Sequence, residues 1–384
     1  MDDVQRLLLG HAPAGVDVAE AVTQIEGWRT ACHKLPTWAA CDAVVYPSRL
    51  AMEQCSSEAT ARYKARLVGN VEGPTRLADL TGGFGVDCTM MAAAFHEVTY
   101  VERNPTLCVV TAKNFAAFGL AHVHVVQDDA RNVLEHLPRQ DWIVVDPARR
   151  DTAGRKMVSL ADCEPDVVTL EPLLLSKARR VLIKCSPMLD ISQALRQLRS
   201  VHEVHVVAVQ NECKELLLIC GSSPKNTTIH AVNLGADSSI ESDFVFTLEE
   251  EQACIPAYTD RVGHWLYEPN VALLKAGCFK LPAVRYSLQK LHPNSQLYTS
   301  DTLCPDFPGR TFEVMGASGF GKQEVKTLVG NLRKANIAIR NFPESVDVLR
   351  KRLHLSEGGD DYLFASTLSD NRHTLILCVL AHKG

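Results

Sequence analysis

The 384-residue sequence predicts an α/β fold built on a largely parallel sheet of seven strands, and two observations carry that prediction. Between Arg76 and Gly221 seven short apolar runs alternate with helix-patterned stretches. Continuous Val/Ile/Leu runs separated by helices are what a sheet covered on both faces requires. The first run, RLADLT, passes straight into Gly82-Gly83-Phe84-Gly85 and then a helical pattern. Open α/β sheets meet their ligands at such a strand–glycine–helix junction.

The elements follow in order. Residues 1–72 read as an N-terminal helical segment, because VAEAVTQIEGWRTACHKL and SRLAMEQCSSEATARYKARLV have helical spacing and no strand-like alternation. Val71-Glu72-Gly73-Pro74 breaks the pattern. Residues 73–270 form the α/β core. RLADLT, EVTYVE, HVHVVQDD, WIVVDP and RVLIKCSP are strands, each followed by a helical stretch. HEVHVVAVQ and ELLLICG, separated by NECK, close the series as an antiparallel hairpin whose turn is Glu212-Cys213-Lys214-Glu215. TTIHAVNL and DFVFTLEE are two further strands in an acidic stretch. Residues 271–313 are a compact segment with a possible helix at VRYSLQKL. Residues 314–384 form a small α+β unit. In it KQEVKTLVGNLRKA places Val325, Leu328, Val329 and Leu332 on one helical face, NIAIRNF, YLFASTL and TLILCVLAH are strands, and SVDVLRKRLHL is helical.

Composition bounds the function. A hydrophobic fraction of 46% with 22% charged residues is ordinary for a globular chain and excludes wholesale disorder. The net charge of −5 excludes a uniformly basic surface but not a local basic patch. Thirteen cysteines without a Cys-x-x-Cys pair exclude a zinc ribbon and read as small buried hydrophobes of a reducing cytoplasm. No apolar run reaches the roughly 18–20 residues of a membrane helix, so no membrane partner is expected. The opening MDDVQRLLLG carries two acids where a secretory leader would be basic.

The chemistry concentrates at strand ends. Gly83-Phe84-Gly85-Val86-Asp87-Cys88 puts cysteine where a dinucleotide loop wants its third glycine. Asp79, Gly83 and Gly85 instead satisfy D-x-x-x-G-x-G, with Thr81 and Gly82 completing the loop. Glu102 follows the second strand, 23 residues after Asp79, where a carboxylate can accept both hydroxyl protons of a ribose. Asp128 and Asp129 end the third strand; a helix cap is the plainer reading of Asp129. The fourth strand delivers Asp146-Pro147-Ala148-Arg149-Arg150. An acid followed by proline is held extended, so its acceptors are aimed in advance.

These residues resemble a known group. D-x-x-x-G-x-G resembles motif I of the class I S-adenosylmethionine-dependent methyltransferases, and DPAR resembles the D-P-P-Y motif of those that methylate exocyclic amines, with Arg149 in place of the stacking aromatic. EQCSSEATARYKARLV, DLTGGFGVD, VDPARR, IKCSPMLDIS, QNECKELL and LYEPN together resemble a bacterial family whose Rossmann-like seven-stranded methyltransferase sheet is followed by a ferredoxin-like segment and a THUMP-like domain. The resemblance implies S-adenosylmethionine as cofactor, held at its methionine end by Asp79, Gly83 and Gly85, at its ribose by Glu102 and at its adenine by Asp129 or Asp128. It implies Asp146 and Pro147 at the acceptor with Arg149 beside them, no metal, and an RNA substrate.

RNA has separate support in residues 322–352, which hold eight basic side chains (Lys322, Lys326, Arg333, Lys334, Arg340, Arg350, Lys351, Arg352) against three acids. The RNA contact is therefore expected in residues 314–384. Other readings stand beside this one: a non-catalytic RNA-binding or assembly protein with a vestigial pocket, and a methyltransferase of small molecules or proteins. Three features invite function and are read as structural. Gly316–Gln323 imitates a phosphate loop but ends in Gln323 where Ser or Thr would hold Mg²⁺, and reads as a flexible lead-in to a helix. Cys185 reads as a buried strand cysteine, and Tyr63 and Lys64 read as ordinary helix packing and exposure.

Overall fold

The computed structural model describes residues 17–69, 75–149, 159–221 and 226–381. The string 71–74, Arg150 and the opening residues lie outside them. The chain forms two compact units, Met1–Thr227 with Leu234–Glu241, and Thr228–Asn233 with Ser242–Gly384.

The first unit begins with α1 (Val18–Lys34), capped by Asp17, whose carboxylate accepts from the amides of Ala19 and Glu20. A short helix at Arg49–Gln54 leads to α2 (Glu58–Val68), capped by Ser57. This segment buries Leu35, Trp38, Tyr46 and Met52 against Phe84 of the glycine loop and Val86 just after it. Trp38 and Phe84 meet with ring centroids 4.8 Å apart. The helical segment is therefore one wall of the core.

Beyond it run β1 (Arg76–Asp79), α3 (Val86–Ala92), β2 (Glu97–Val101), α4 (Pro105–Ala117), β3 (Val123–Val126), α5 (Ala130–His136) and β4 (Gln140–Val145). A two-stranded ribbon, β5 (Ala148–Arg149) with β6 (Cys163–Glu164), leads to α6 (Val167–Lys177), β7 (Ala178–Cys185), α7 (Ile191–Gln197), β8 (Val201–Val209) and β9 (Glu212–Gly221). Seven strands lie in the order β8–β9–β7–β4–β1–β2–β3. The pairs from β7 to β3 are parallel, and β9 is antiparallel to both neighbours. The expected final hairpin forms, with β9 inserted between β7 and β8.

Its turn corrects the sequence reading. Gln210 and Asn211 take φ of 49° and 61°, as a two-residue turn requires, and Glu212–Glu215 belong to β9. Glu215 is buried and meets Lys64 of α2, which is fully buried and not exposed as expected. Lys64 Nζ lies 2.7 Å from both carboxylate oxygens of Glu215.

Strands β10 (Thr228–Leu234) and β11 (Ile240–Thr247), joined by a turn at 235–239, straddle the division between the units. The second unit is built on a sheet of β12 (Trp265–Pro269), β13 (Gln289–Lys290), β14 (Tyr298–Ser300), β15 (Gly309–Gly319), β16 (Asn336–Arg340), β17 (Asp361–Thr367) and β18 (His373–Leu380), in the order β13–β14–β12–β15–β18–β17–β16. β15 pairs with β12 on one side and β18 on the other, so the boundary expected at residues 313/314 falls within a strand. The helix expected over VRYSLQKL is not formed. Helix ends at Arg285, Ser287 takes φ 53°, and Gln289–Lys290 pair as strand. Gly316–Gly319, expected as a flexible lead-in, pair with Leu377–Thr374 of β18 as regular strand. Helix α8 (Lys322–Val329) stops short of Leu332, yet Val325, Leu328, Val329 and Leu332 converge on one cluster with Leu349 of α9 (Val346–Leu353). Among the described residues no helix is long and apolar enough to cross a membrane.

The Lys64–Glu215 pair makes a stability prediction. Lys64→Met leaves a buried carboxylate with one cation fewer and costs about 3–5 kcal/mol in urea unfolding, whereas Lys64→Met/Glu215→Leu recovers most of that loss.

Candidate active site

A cavity of about 360 Å³ opens at the carboxyl ends of β1, β2 and β4. Its volume suits a small-molecule ligand. Asp79, Thr81, Gly82, Gly83, Gly85, Glu102, Asp128, Asp129 and Asp146 all line it. The N-terminal segment contributes Gln54, Cys55 and Ser56. Pro147 is not among the lining residues. Arg149 pairs through its backbone with Cys163 in the β5–β6 ribbon.

The glycines have separable reasons. A Cβ on Gly82 would lie 1.9 Å from the Tyr100 ring, so the loop can pass under that ring only without a side chain. Gly83 takes φ +55°, and a Cβ there would meet nothing within 4 Å. Its bare backbone therefore leaves open space. Glu102 anchors this loop: Oε2 accepts from the Gly83 amide at 3.0 Å and Oε1 from the Asn104 amide at 2.8 Å. Asp128 accepts from the Asp129 amide at 2.6 Å and from Asn132, hydrogen bonds that hold its carboxyl below the usual range. Asp129 caps α5 through the Arg131 amide at 2.9 Å while facing the cavity, so its two readings are compatible.

Thr81 joins two strand ends. Its amide donates to Asp79 Oδ1 at 3.2 Å, and its Oγ1 accepts from the Asp146 amide at 2.6 Å. Asp79 is buried, and its carboxyl is pushed up to about 7, first by burial and then by the neighbouring Asp87 carboxylate.

Sequence reasoning missed two members of the site. Lys184, at the end of β7, places Nζ 2.5 Å from Asp146 Oδ2 and 3.9 Å from Asp87 Oδ2. Asp87, in the first turn of α3, also accepts from Ser56 Oγ at 2.7 Å and lies 3.2 Å from Lys64 Nζ. Burial pushes Asp87 up, but Lys64 and Lys184 outweigh it and hold the carboxyl low. Burial likewise pushes Lys184 down, but Asp146, Asp87 and Glu215 outweigh it and hold the ammonium above the usual lysine range. One signal for Lys184 was a charge inside the apolar run RVLIKC. Its neighbour Cys185 is buried, as expected, with its thiol pushed far up by that burial.

Among the described residues four carboxylates (Asp79, Asp87, Glu215 and the half-exposed Asp146) thus share two ammonium groups, Lys64 and Lys184. The deficit favours a cationic ligand. The open space at Gly83 and the Glu102 carboxylate beside it fit a nucleoside. The fold and site define a Rossmann-like nucleoside-cofactor enzyme whose cofactor carries positive charge.

Comparison with known proteins narrows the class. A ferredoxin-like domain model matches residues 265–308, and a THUMP domain-like model matches residues 309–379. A protein of Porphyromonas gingivalis W83, whose crystal structure is described as that of a methyltransferase, is 37% identical with TM-score 0.88, covering 99% of this chain and 94% of that one. An uncharacterised S-adenosylmethionine-dependent methyltransferase of Mycobacterium tuberculosis (strain H37Rv) is 27% identical over 311 residues, 79% of this chain and 80% of its own. The ribosomal RNA small subunit methyltransferase J of Agrobacterium fabrum (strain C58) is 26% identical over 187 residues, 44% of this chain and 87% of its own. The chain belongs to the bacterial family of class I S-adenosylmethionine-dependent methyltransferases that carry a ferredoxin-like segment and a THUMP-like domain.

Asp79 makes the ligand-free protein pH-sensitive. Its carboxyl rises from about 3.9 in the unfolded chain to about 7 when folded. A raised acid contributes stability that is complete below the unfolded value and lost as pH climbs through the folded one. Between pH 5 and 8 the wild type loses on the order of 2–3 kcal/mol that Asp79→Asn keeps, read as the difference between their urea unfolding curves.

Proposed function

We propose that the protein transfers a methyl group from S-adenosylmethionine to an exocyclic nitrogen of a base in ribosomal or transfer RNA. The observation that carries the reading is Asp146. It stands at the end of β4 with its amide tied to Thr81 and one carboxylate oxygen tied to Lys184, and it lines the cavity behind the glycine loop. A base's exocyclic amine shares its lone pair with the ring. A fixed carboxylate accepting its N–H draws the nitrogen towards tetrahedral geometry and aims the lone pair.

When bound, the cofactor supplies an electrophilic methyl group on a sulfonium, which makes metal or acid assistance unnecessary to the step. The remaining roles belong to the chain. Asp79, ionised, accepts from the cofactor's ammonium group; Gly83 and Gly85 give close backbone approach; Glu102 accepts from the ribose hydroxyls; Asp129 and Asp128 border the adenine. Pro147 fixes the backbone after Asp146, and Arg149 continues that segment into the β5–β6 ribbon.

Three things support RNA as the acceptor. The THUMP-like domain is one, and the similarity to ribosomal RNA small subunit methyltransferases J is another. The third is charge. Of the eight basic residues in 322–352, Arg340, Arg350 and Arg352 are engaged by Glu268, Asp347 with Glu357, and Glu344. Lys322, Lys326, Arg333, Lys334 and Lys351 are exposed and have no ion pair among the described residues. Unpaired surface cations are what a phosphate backbone needs.

Two experiments test the reading. In titration calorimetry S-adenosylmethionine binds, and Asp79→Ala weakens it about 10- to 100-fold, the worth of a charge-assisted hydrogen bond. Asp146→Ala binds the cofactor but no longer moves labelled methyl into RNA from cells lacking the protein; undiminished transfer removes Asp146 from the acceptor site. In the second, Lys322→Ala/Lys326→Ala/Lys351→Ala weakens RNA binding and lowers its log–log salt slope by about 2, at roughly 0.7 per single-strand phosphate contact. An unchanged slope moves the RNA contact elsewhere.

A further inference from the structure

We infer that Lys184 is a positioning residue for methyl transfer: it grips Asp146 by one carboxylate oxygen so that the other stays aimed at the acceptor's N–H. The inference rests on the acceptor role proposed for Asp146. Lys184 Nζ is 2.5 Å from Asp146 Oδ2, while Oδ1 has no hydrogen-bond partner among the described residues. With the amide held by Thr81 at 2.6 Å, backbone and side chain are both pinned, and Oδ1 is the free acceptor.

The choice of Asp146 over Asp87 needs a reason, since Lys184 lies between them. Asp87 is already served by Ser56 Oγ at 2.7 Å and by Lys64 Nζ at 3.2 Å. Lys64 is in turn seated on Glu215. This second cation frees Lys184 to close on Asp146 and leaves Asp87 at 3.9 Å. The charged and titratable groups facing Lys184 are Asp146 at the end of β4, Asp87 on α3, Glu215 on β9, Asp79 on β1, Cys55 of the N-terminal segment and the neighbouring Cys185. Signs therefore alternate from Glu215 through Lys64, Asp87 and Lys184 to Asp146, a line running from β9 past α2 and α3 to the acceptor carboxylate. In the step it serves, the acceptor nitrogen's lone pair forms the N–C bond as the C–S bond breaks. The bonding pair goes to sulfur, and the surplus N–H proton passes to water.

Full-length Lys184→Met, Lys184→Arg, Asp146→Asn and Lys184→Met/Asp146→Asn test this, with calorimetry for S-adenosylmethionine and labelled methyl transfer into total RNA from cells lacking the protein. Lys184→Met binds the cofactor as tightly as wild type or more tightly, because a cation is removed from beside a ligand of net charge +1. Its transfer rate falls about 100-fold, the scale of a misplaced catalytic group. Lys184→Arg recovers part of the rate, and the double variant is no slower than Asp146→Asn alone. Wild-type transfer by Lys184→Met overturns the inference. So do parallel losses of cofactor binding and transfer, and so does a double variant slower than Asp146→Asn. If Lys184→Met does not fold, Lys184→Arg and the double variant, which leaves no unpaired Asp146, decide by the same criteria. Asp146→Asn separates the two claims. Undiminished transfer by that variant defeats the acceptor role itself, whereas its inactivity beside a wild-type Lys184→Met defeats the positioning role alone.

Discussion

The organising constraint of the first unit is a shortage of positive charge in its interior. Among the described residues Asp79, Asp87, Glu215 and the half-exposed Asp146 meet only Lys64 and Lys184 there. Buried carboxylates are tolerable when paired and hydrogen-bonded and costly otherwise. The fold responds by placing the two lysines between acids, while burial still pushes the Asp79 and Glu215 carboxyls up. A cofactor carrying net positive charge would relieve the same shortage. The distribution that makes the ligand-free protein sensitive to pH is thus the one that prepares the cavity for its ligand.

That constraint also explains the N-terminal helices. They contribute Lys64 and Ser56 to the charge network, and Trp38 and Met52 to the cluster around Phe84. The apolar contacts fix the glycine loop from behind while the polar ones fix Asp87 and, through the competition for Lys184, Asp146. Packing and electrostatics converge on one short stretch, Asp79–Asp87. Changes in α2 therefore reach Asp146 without touching it.

The second unit has a different economy of charge. Buried Glu268 engages both Arg310 and Arg340, so two of its arginines hold the sheet together. Arg352 lies over the Phe320 ring, 4.2 Å from its centroid, and meets Glu344. Counting basic residues along the chain overstated the surface available to phosphate, because arginine's planar fork suits intramolecular pairing as well as RNA. The lysines, with Arg333, are what remain exposed and without an ion pair among the described residues.

The sequence by itself determined the strand–helix alternation, the glycine loop and the carboxylates at strand ends, because each is written locally: periodicity sets the element and glycine marks the close approach. It placed Asp79, Glu102, Asp129 and Asp146 at the mouth of one sheet, since parallel strands present their carboxyl ends on one edge. It misread Lys64 as exposed, Glu212–Glu215 as a turn, Gly316–Gly319 as a flexible loop and VRYSLQKL as a helix, and it passed over Lys184 and Asp87. Lys64 and Glu215 lie 151 positions apart, and only the sheet order that inserts β9 beside β7 brings them together. Whether a charged side chain is solvated or buried depends on what covers it. That was decided by tertiary structure, because the compensating charge comes from another element altogether.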